Sequence, residues 1–202
     1  MSGRIISADN HYAELDNYIK ESGCQSVMLV CDESLRFLDI RHYFDTLTDR
    51  LHVALTRFSD FKPNPLYESV EKGVGLFRRN RCDSIIAVGG GSAMDVAKCI
   101  KLYSNMDSGE NYLKQAIVPN DVPLLAVPTT AGTGSEATRF SFLWNRSMIS
   151  LIHEATSSLI NDADLPASMA FKNATSSCLI PSPSNWKKYR LLSAGFSYLI
   201  SK

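Results

Sequence analysis

Short apolar runs that alternate with helical patterns constrain the fold more than any other feature of the sequence. Each run has only five or six residues, which suits a buried parallel strand, whereas the segments between the runs repeat their apolar residues at helical spacing. The predicted strands are Ser26 to Cys31, Val53 to Phe58, Ser84 to Val88 and Pro123 to Val127. The predicted helices are His11 to Ser22, Leu35 to Leu51, Leu66 to Arg79 and Ser92 to Tyr103. Strands separated by such helices form βαβ units, so the sequence predicts an α/β fold with a parallel sheet and right-handed crossovers.

The alternation stops near Phe140, where the composition of the chain changes. Residues 141–202 hold 13 of the 25 serines and one of the 11 glycines, with six basic residues against three acidic ones. Their periodicity is weak, and Pro181 and Pro183 interrupt any helix that precedes them. We therefore expect an α/β domain over residues 1–140 and a loosely packed, serine-rich tail over residues 141–202.

The overall composition narrows the partners of the chain. Hydrophobic residues make up 45% of it, and 21 basic residues balance 21 acidic ones, so no net charge attracts nucleic acid or a membrane surface. The five cysteines are scattered without C-x-x-C spacing, and no apolar run has the length of a signal peptide or a membrane span. We expect a cytoplasmic protein with reduced thiols that binds small molecules.

A glycine turn after the third predicted strand is typical of an anion site. Gly89, Gly90 and Gly91 are followed by Ser92, which suits a helix N-cap, and Asp95 three residues later resembles a capping box. The first amides of a helix have no intrahelical partner and lie at the positive end of the helix dipole, so a phosphate binds there readily. The turn matches neither the G-x-G-x-x-G nor the Walker pattern, and a tight turn with a helix cap is the alternative interpretation.

A second segment rich in hydroxyl groups follows the fourth predicted strand. It contains Thr129, Thr130, Thr133 and Ser135, with two glycines among them. Ligands of open α/β sheets bind at the carboxyl ends of the strands, and hydroxyl groups there can reach phosphate or ribose oxygens. A solvated loop is the alternative, but two such loops at two strand ends indicate one shared crevice.

Together, GGGSAMDVAK and PTTAGTGSEAT resemble the iron-type (group III) alcohol dehydrogenase family. The resemblance covers roughly residues 20–140. It implies an N-terminal NAD(P)-binding α/β domain of a dehydrogenase whose C-terminal helical domain holds Fe²⁺ or Zn²⁺. Dehydroquinate synthases share the first motif but less of the second, which argues against a lyase. The expected activity is hydride transfer between a nicotinamide cofactor and a small aldehyde or alcohol. Without the helical domain, apolar surface of the α/β half would be exposed, which favours a homodimer.

The resemblance also implies roles for individual residues in cofactor binding. Gly90, Gly91 and Ser92 would lie against the diphosphate, with Asp95 shaping the loop. Thr129 and Thr130 would line the adenosine and its ribose, whereas Thr133 and Ser135 would lie near the phosphates or the nicotinamide. Asp32, directly after the first predicted strand, and Asn64, in the Pro63-Asn-Pro65 loop, match further cofactor-contacting positions. An acidic Asp32 would accept a hydrogen bond from a ribose 2′-hydroxyl and repel a 2′-phosphate, which favours NAD over NADP.

Within the family, the segments FKPNP and SEATRF look most like the phosphonoacetaldehyde reductase subgroup. Arg139 lies in the second segment, and its guanidinium could hold a phosphonate with two hydrogen bonds. The alternative is an ordinary surface arginine.

The sequence departs from the family at the metal ligands. The family pattern A-T-x-x-D-A-L-x-H has Cys178 at the carboxylate position here and Ser182 at the first histidine position. The four histidines (His11, His42, His52 and His153) form no pair at i, i+4 spacing. A metal ion that polarises the carbonyl stabilises the transition state of hydride transfer by several kcal/mol, so we expect the chain to be inactive alone. The two hypotheses are a metal-dependent aldehyde reductase and a non-catalytic remnant that at most binds nucleotide.

Overall fold

A computed structural model of the chain describes residues 4–8, 12–130, 135, 141, 143 and 196–201, with the backbone alone for 4–8 and 196–201. Two compact units divide the chain, Met1–Leu143 with Tyr189–Lys202 and Trp144–Lys188, and every described residue belongs to the first. No helix among the described residues is long and apolar enough to cross a membrane.

Six strands and five α-helices make up the described unit. The strands are β1 (Arg4–Ala8), β2 (Ser26–Cys31), β3 (Ala54–Phe58), β4 (Ser84–Gly89), β5 (Leu124–Pro128) and β6 (Phe196–Ser201). The α-helices are α1 (Ala13–Ser22), α2 (Ile40–Asp45), α3 (Leu47–Leu51), α4 (Tyr67–Arg79) and α5 (Gly91–Tyr103), with 3₁₀ helices at Glu33–Phe37 and Tyr112–Lys114.

One parallel sheet contains all six strands, in the order β1-β6-β5-β4-β2-β3. The predicted α/β fold and parallel sheet are therefore confirmed. Strand β4 is buried along its whole length, and β2 is buried at every residue after Ser26. Burial of both faces explains why these strands are continuous apolar runs rather than alternating ones.

Successive residues of the central strands point to opposite faces of the sheet, and each face has its own core. Ile85 and Ala87 of β4 pack with the apolar residues of α4 and α5. Ile86 and Val88 pack with those of α1, α2 and α3. The period-two alternation of strand side chains thus places helices on both sides, which defines a doubly wound sheet.

The direction of the chain across the sheet reverses between β2 and β4. After β2 the chain crosses one face to β3 at the edge, whereas after β4 it crosses the opposite face to β5. The segments that leave β2 and β4 therefore diverge and open a crevice at the carboxyl ends of these strands. Ligands of open α/β sheets bind at such a switch point.

The segment predicted as one helix from Leu35 to Leu51 forms three short pieces. Leu38 adopts an extended conformation that separates the first 3₁₀ helix from α2. Thr46 separates α2 from α3, and its hydroxyl donates to the carbonyls of His42 and Tyr43. Such back-bonding competes with the helix ladder, so helical spacing alone predicted a longer helix than the chain forms.

Strands β1 and β6 were not predicted from the sequence. Strand β6 lies within the segment that we expected to pack loosely, yet it pairs with β1 on one side and with β5 on the other. Tyr198, for example, is opposite both Ile5 and Ala126. The run FSYLIS is itself typical of a strand, but the serine-rich composition around it obscured this signal.

Candidate functional site

The chain turns sharply at Gly89, the last residue of β4. Its φ of +148° is a conformation that residues with a side chain rarely adopt. A Cβ at this position would lie 2.9 Å from the Cβ of Ala93 and 3.0 Å from Oδ2 of Asp32. Both the backbone conformation and the lack of space therefore require glycine here.

Helix α5 begins at Gly91 with Gly90 as its N-cap, so the predicted N-cap role of Ser92 is wrong. The glycines allow the backbone to enter the helix two residues earlier than the serine would. Gly90 has no side chain to cap the helix, and its carbonyl accepts from the amide of Met94 at 3.2 Å. The first turn of α5 therefore presents backbone amides at the crevice without a side-chain cap.

Asp95 is not part of a capping box, which is a second correction. Its Oδ1 lies 3.5 Å from Nζ of Lys98, one turn later on α5, and both side chains are buried. A buried carboxylate is costly without an opposite charge nearby, and the ammonium group of Lys98 supplies that charge. Asp95 thus lies in the protein interior behind the glycine turn, and its role in shaping the loop stays a prediction.

The hydroxyl loop after β5 lies beside the glycine turn. The amide of Thr129 donates to the carbonyl of Gly89 at 3.0 Å, which extends the pairing of β4 and β5 past their ends. A Cβ on Gly90 would lie 3.1 Å from Oγ1 of Thr130, so the two loops approach closely only because Gly90 lacks a side chain. Thr129 and Thr130 are exposed, whereas Gly90 to Ser92 are half-buried.

Asp32 lies on the other side of the glycine turn, directly after β2. Its Oδ1 accepts from the amide of Ser34 at 2.9 Å and also from the hydroxyl of Ser34. Its Oδ2 is the atom that a Cβ on Gly89 would meet. One oxygen thus caps the following 3₁₀ helix while the other faces the turn. Ser34, which orients this carboxylate, was missed, although the Asp-x-Ser spacing is a signal for such a local cap.

The remaining predicted residues are less well connected to the turn. Asn64 is exposed and adopts a left-handed conformation with φ of 58°. It lies in the segment that follows the carboxyl end of β3. No hydrogen bond joins it to the other candidates within the described part of the chain. Ser135 is half-buried, and Thr133 and Arg139 lie outside the described residues.

A cavity of about 540 Å³ lies away from these residues, between the end of β3 and helix α4. Its lining includes Arg57, Asp60, Lys72 and Arg79. Lys72 pairs with Asp60 at 2.7 Å, and Arg57 pairs with Asp45. The cavity contains none of the predicted site residues and lacks the convergence of strand ends found at the switch point.

Among the described residues no group of three or more His, Cys, Asp or Glu side chains could hold a metal ion. His42 and His52 are exposed on α2 and after α3, and His11, His153, Cys178 and Ser182 lie outside the described residues. The described α/β unit therefore offers no ligand set for the metal of the family.

A doubly wound parallel sheet with a glycine turn at its switch point defines the class of open α/β proteins to which this chain belongs. The iron-containing alcohol dehydrogenase family model matches residues 2–160. The chain belongs to this family, and its described unit has the fold of the N-terminal domain of these enzymes.

The chain matches each of its relatives over only part of that relative's length. The chain is 32% identical over 134 residues to alcohol dehydrogenase 4 of Schizosaccharomyces pombe, which is 65% of this chain and 32% of that protein. It is also 32% identical to lactaldehyde reductase of Escherichia coli over 128 residues. That match covers 61% of this chain and 34% of the reductase. A sulfoacetaldehyde reductase from Bifidobacterium kashiwanohense, solved in complex with NAD⁺, superposes with a TM-score of 0.60 at 30% identity and covers 72% of this chain and 39% of that one. The chain thus spans about a third of the length of these curated relatives.

Proposed function

We propose that this chain binds NAD(H) at the switch point, with the diphosphate against the backbone of Gly90, Gly91 and Ser92. The observation that carries the proposal is the glycine turn itself. Side chains at Gly89 and Gly90 would collide with Asp32 and with Thr130, respectively. Because both residues are glycine, Asp32 and the threonine loop lie close to the uncapped amides at the start of α5, and such helix amides bind a diphosphate at the carboxyl ends of the strands.

The neighbouring side chains suit the ends of a dinucleotide. The exposed hydroxyls of Thr129 and Thr130 can donate to phosphate or ribose oxygens. Oδ2 of Asp32 is available to accept from a ribose 2′-hydroxyl, and its charge would repel a 2′-phosphate. We therefore propose NAD rather than NADP as the preferred cofactor, with Asn64, Thr133 and Ser135 as further candidate contacts.

The family relationship supports a dehydrogenase reaction for the whole enzyme type. NAD(H) supplies or accepts a hydride at its nicotinamide ring. The residues of this chain would bind and orient it, but no group of three or more His, Cys, Asp or Glu among the described residues could hold the metal that polarises a carbonyl. We propose that the 202-residue chain binds nucleotide and does not by itself reduce aldehydes, which is the non-catalytic alternative.

Fluorescence titration of the purified chain with NADH tests the binding proposal. We expect saturable binding, and Gly90→Val should weaken it at least tenfold because the new side chain would collide with Thr130 and displace the threonine loop from the start of α5. Gly75→Ala is the control, since a Cβ there meets nothing within 4 Å. Equal affinity of Gly90→Val and the parent, with both folded by thermal unfolding, would contradict the site.

Measurements of metal content and aldehyde reduction test the second half of the proposal. We expect NADH to bind without stoichiometric iron or zinc and without turnover of small aldehydes. Saturable aldehyde reduction by the 202-residue chain would contradict the non-catalytic assignment while leaving the binding site intact.

The substrate type for a complete enzyme is a small aldehyde with an anionic group, and phosphonoacetaldehyde is the specific candidate. Arg139 is the residue that we propose to hold the phosphonate. The measurement is the affinity of the NADH-bound chain for phosphonoacetate as a probe. Arg139→Ala should abolish that binding, whereas equal affinity in both proteins would remove Arg139 from the proposal.

We also propose that the chain forms a homodimer and works in a reducing, cytoplasmic compartment. The four free cysteines among the described residues fit such a compartment.

A further inference from the structure

Phe37 is the most exposed large hydrophobic side chain among the described residues, with 77% of its surface accessible. It is not loose on the surface, because the guanidinium carbon of Arg36 lies 4.6 Å from the centroid of its ring. An arginine on one face of an aromatic ring leaves the other face for a second planar group.

The position of Phe37 relates it to the crevice. It ends the 3₁₀ helix Glu33–Phe37, and Asp32 caps the start of this helix through the amide of Ser34. Side chains three residues apart eclipse each other in a 3₁₀ helix, so Phe37 lies on the same side as Ser34, about 6 Å further along. Ser34 in turn donates to the Asp32 carboxylate. Ser34 and Phe37 therefore form one row along this 3₁₀ helix, and the Asp32 carboxylate is hydrogen-bonded to the start of the row.

We propose that the adenine ring of the bound nucleotide stacks on the face of the Phe37 ring that lies opposite the guanidinium of Arg36. This inference rests on the proposed NAD(H) site, in which Asp32 accepts from the adenosine ribose. The adenine is attached to that ribose and extends away from the diphosphate, in the direction of the row. The pairing of base and phenyl ring needs no hydrogen bond, because every base has a π-face that stacks on an aromatic side chain.

The test compares two ligands on four proteins: the parent chain, Phe37→Ala, Phe37→Leu and Val118→Ala. NADH carries adenine, whereas reduced nicotinamide mononucleotide does not. We expect Phe37→Ala to weaken NADH binding about tenfold, in line with the usual effect of losing one stacked base, and to leave the mononucleotide affinity unchanged. Phe37→Leu should lose most of the same affinity, because it keeps the apolar bulk but not the flat ring.

Val118→Ala is the matched control, since Val118 is also an exposed apolar side chain, with 48% of its surface accessible. It precedes β5 and so lies before the amino end of that strand, away from the crevice at the carboxyl ends. This variant should bind both ligands as the parent does. Unchanged NADH affinity in Phe37→Ala, or an equal loss of affinity for both ligands, would overturn the proposal that adenine stacks on Phe37. Failure of the parent chain to bind NADH at all would overturn the proposed function as well, so the two failures are distinguishable.

Discussion

At the residue scale, the carboxylate of Asp32 has two separable roles. Oδ1 accepts from the Ser34 amide, and Oδ2 faces the glycine turn. Asparagine in its place would keep an oxygen for the cap and remove the negative charge. The charge is therefore what we expect to select between cofactors, and the cap is what we expect to preserve the local fold.

We predict that Asp32→Asn binds NADPH at least tenfold more tightly than the parent, because the repulsion of the 2′-phosphate is gone. The measurement is a pair of fluorescence titrations, with NADH and with NADPH. Asp107→Asn is the control, because Asp107 makes the same kind of local bond, to the amide of Gly109 at 2.8 Å, outside the crevice. An unchanged ratio of the two affinities in Asp32→Asn would remove Asp32 from cofactor recognition.

At the element scale, two glycines of α4 have opposite surroundings. A Cβ on Gly73 would lie 2.5 Å from Cδ1 of Ile100, so this glycine lets α4 pack closely on α5. A Cβ on Gly75 would meet nothing within 4 Å. The cost of glycine in a helix is therefore offset by packing at the first position only.

We predict that Gly73→Ala lowers the free energy of unfolding by about 1–3 kcal/mol through overpacking. Gly75→Ala should raise it by up to about 1 kcal/mol because alanine favours the helix. Denaturant unfolding of both variants provides the measurement. The double variant Gly73→Ala with Ile100→Val should recover part of the loss, since valine lacks the atom that the new Cβ meets. Equal stability of the two single variants would show that α4 and α5 do not pack through Gly73.

The predictable elements are those whose signal is local. Four strands and three of the helices followed from apolar runs and helical spacing, because β2, β4 and their covering helices are buried where the sequence is apolar. The end of α1 at Ser22 also followed from Gly23, which adopts the left-handed conformation at the helix end. The break at Thr46 was missed because it depends on the side-chain bonds to His42 and Tyr43.

The candidate site was predictable to a similar depth. The sequence predicted that the glycine turn and the threonine loop lie together, since both follow strands of one parallel sheet. It did not predict the start of α5 at Gly91 or the pairing of Asp95 with Lys98. Both depend on backbone conformation and on burial around α5, which a capping pattern does not encode.

At the scale of the whole molecule, the sheet depends on a strand from the far end of the chain. Strand β6 lies between β1 and β5, so its backbone bonds are needed on both sides. Without β6, strand β1 would have no pairing partner in the described sheet, and β5 would become an edge.

We predict that Tyr198→Pro destabilises the unit by about 1–3 kcal/mol, because the ladder loses an N–H and leaves a carbonyl oxygen unpaired. Tyr198→Phe is the control, since it keeps the N–H and the aromatic ring. Thermal unfolding of the two variants provides the measurement. Identical midpoints would mean that Phe196–Ser201 is not an internal strand of the sheet.

An amide NMR titration of the ¹⁵N-labelled chain with NAD⁺ locates the bound nucleotide residue by residue. We predict the largest shifts at the amides of Gly91, Ser92 and Ala93, with smaller ones at Thr129 and Thr130, and none at Asp83, which precedes β4 at the amino ends of the strands. Shifts that leave the start of α5 unchanged and instead map to the cavity beside Lys72 and Arg79 would contradict the proposed site.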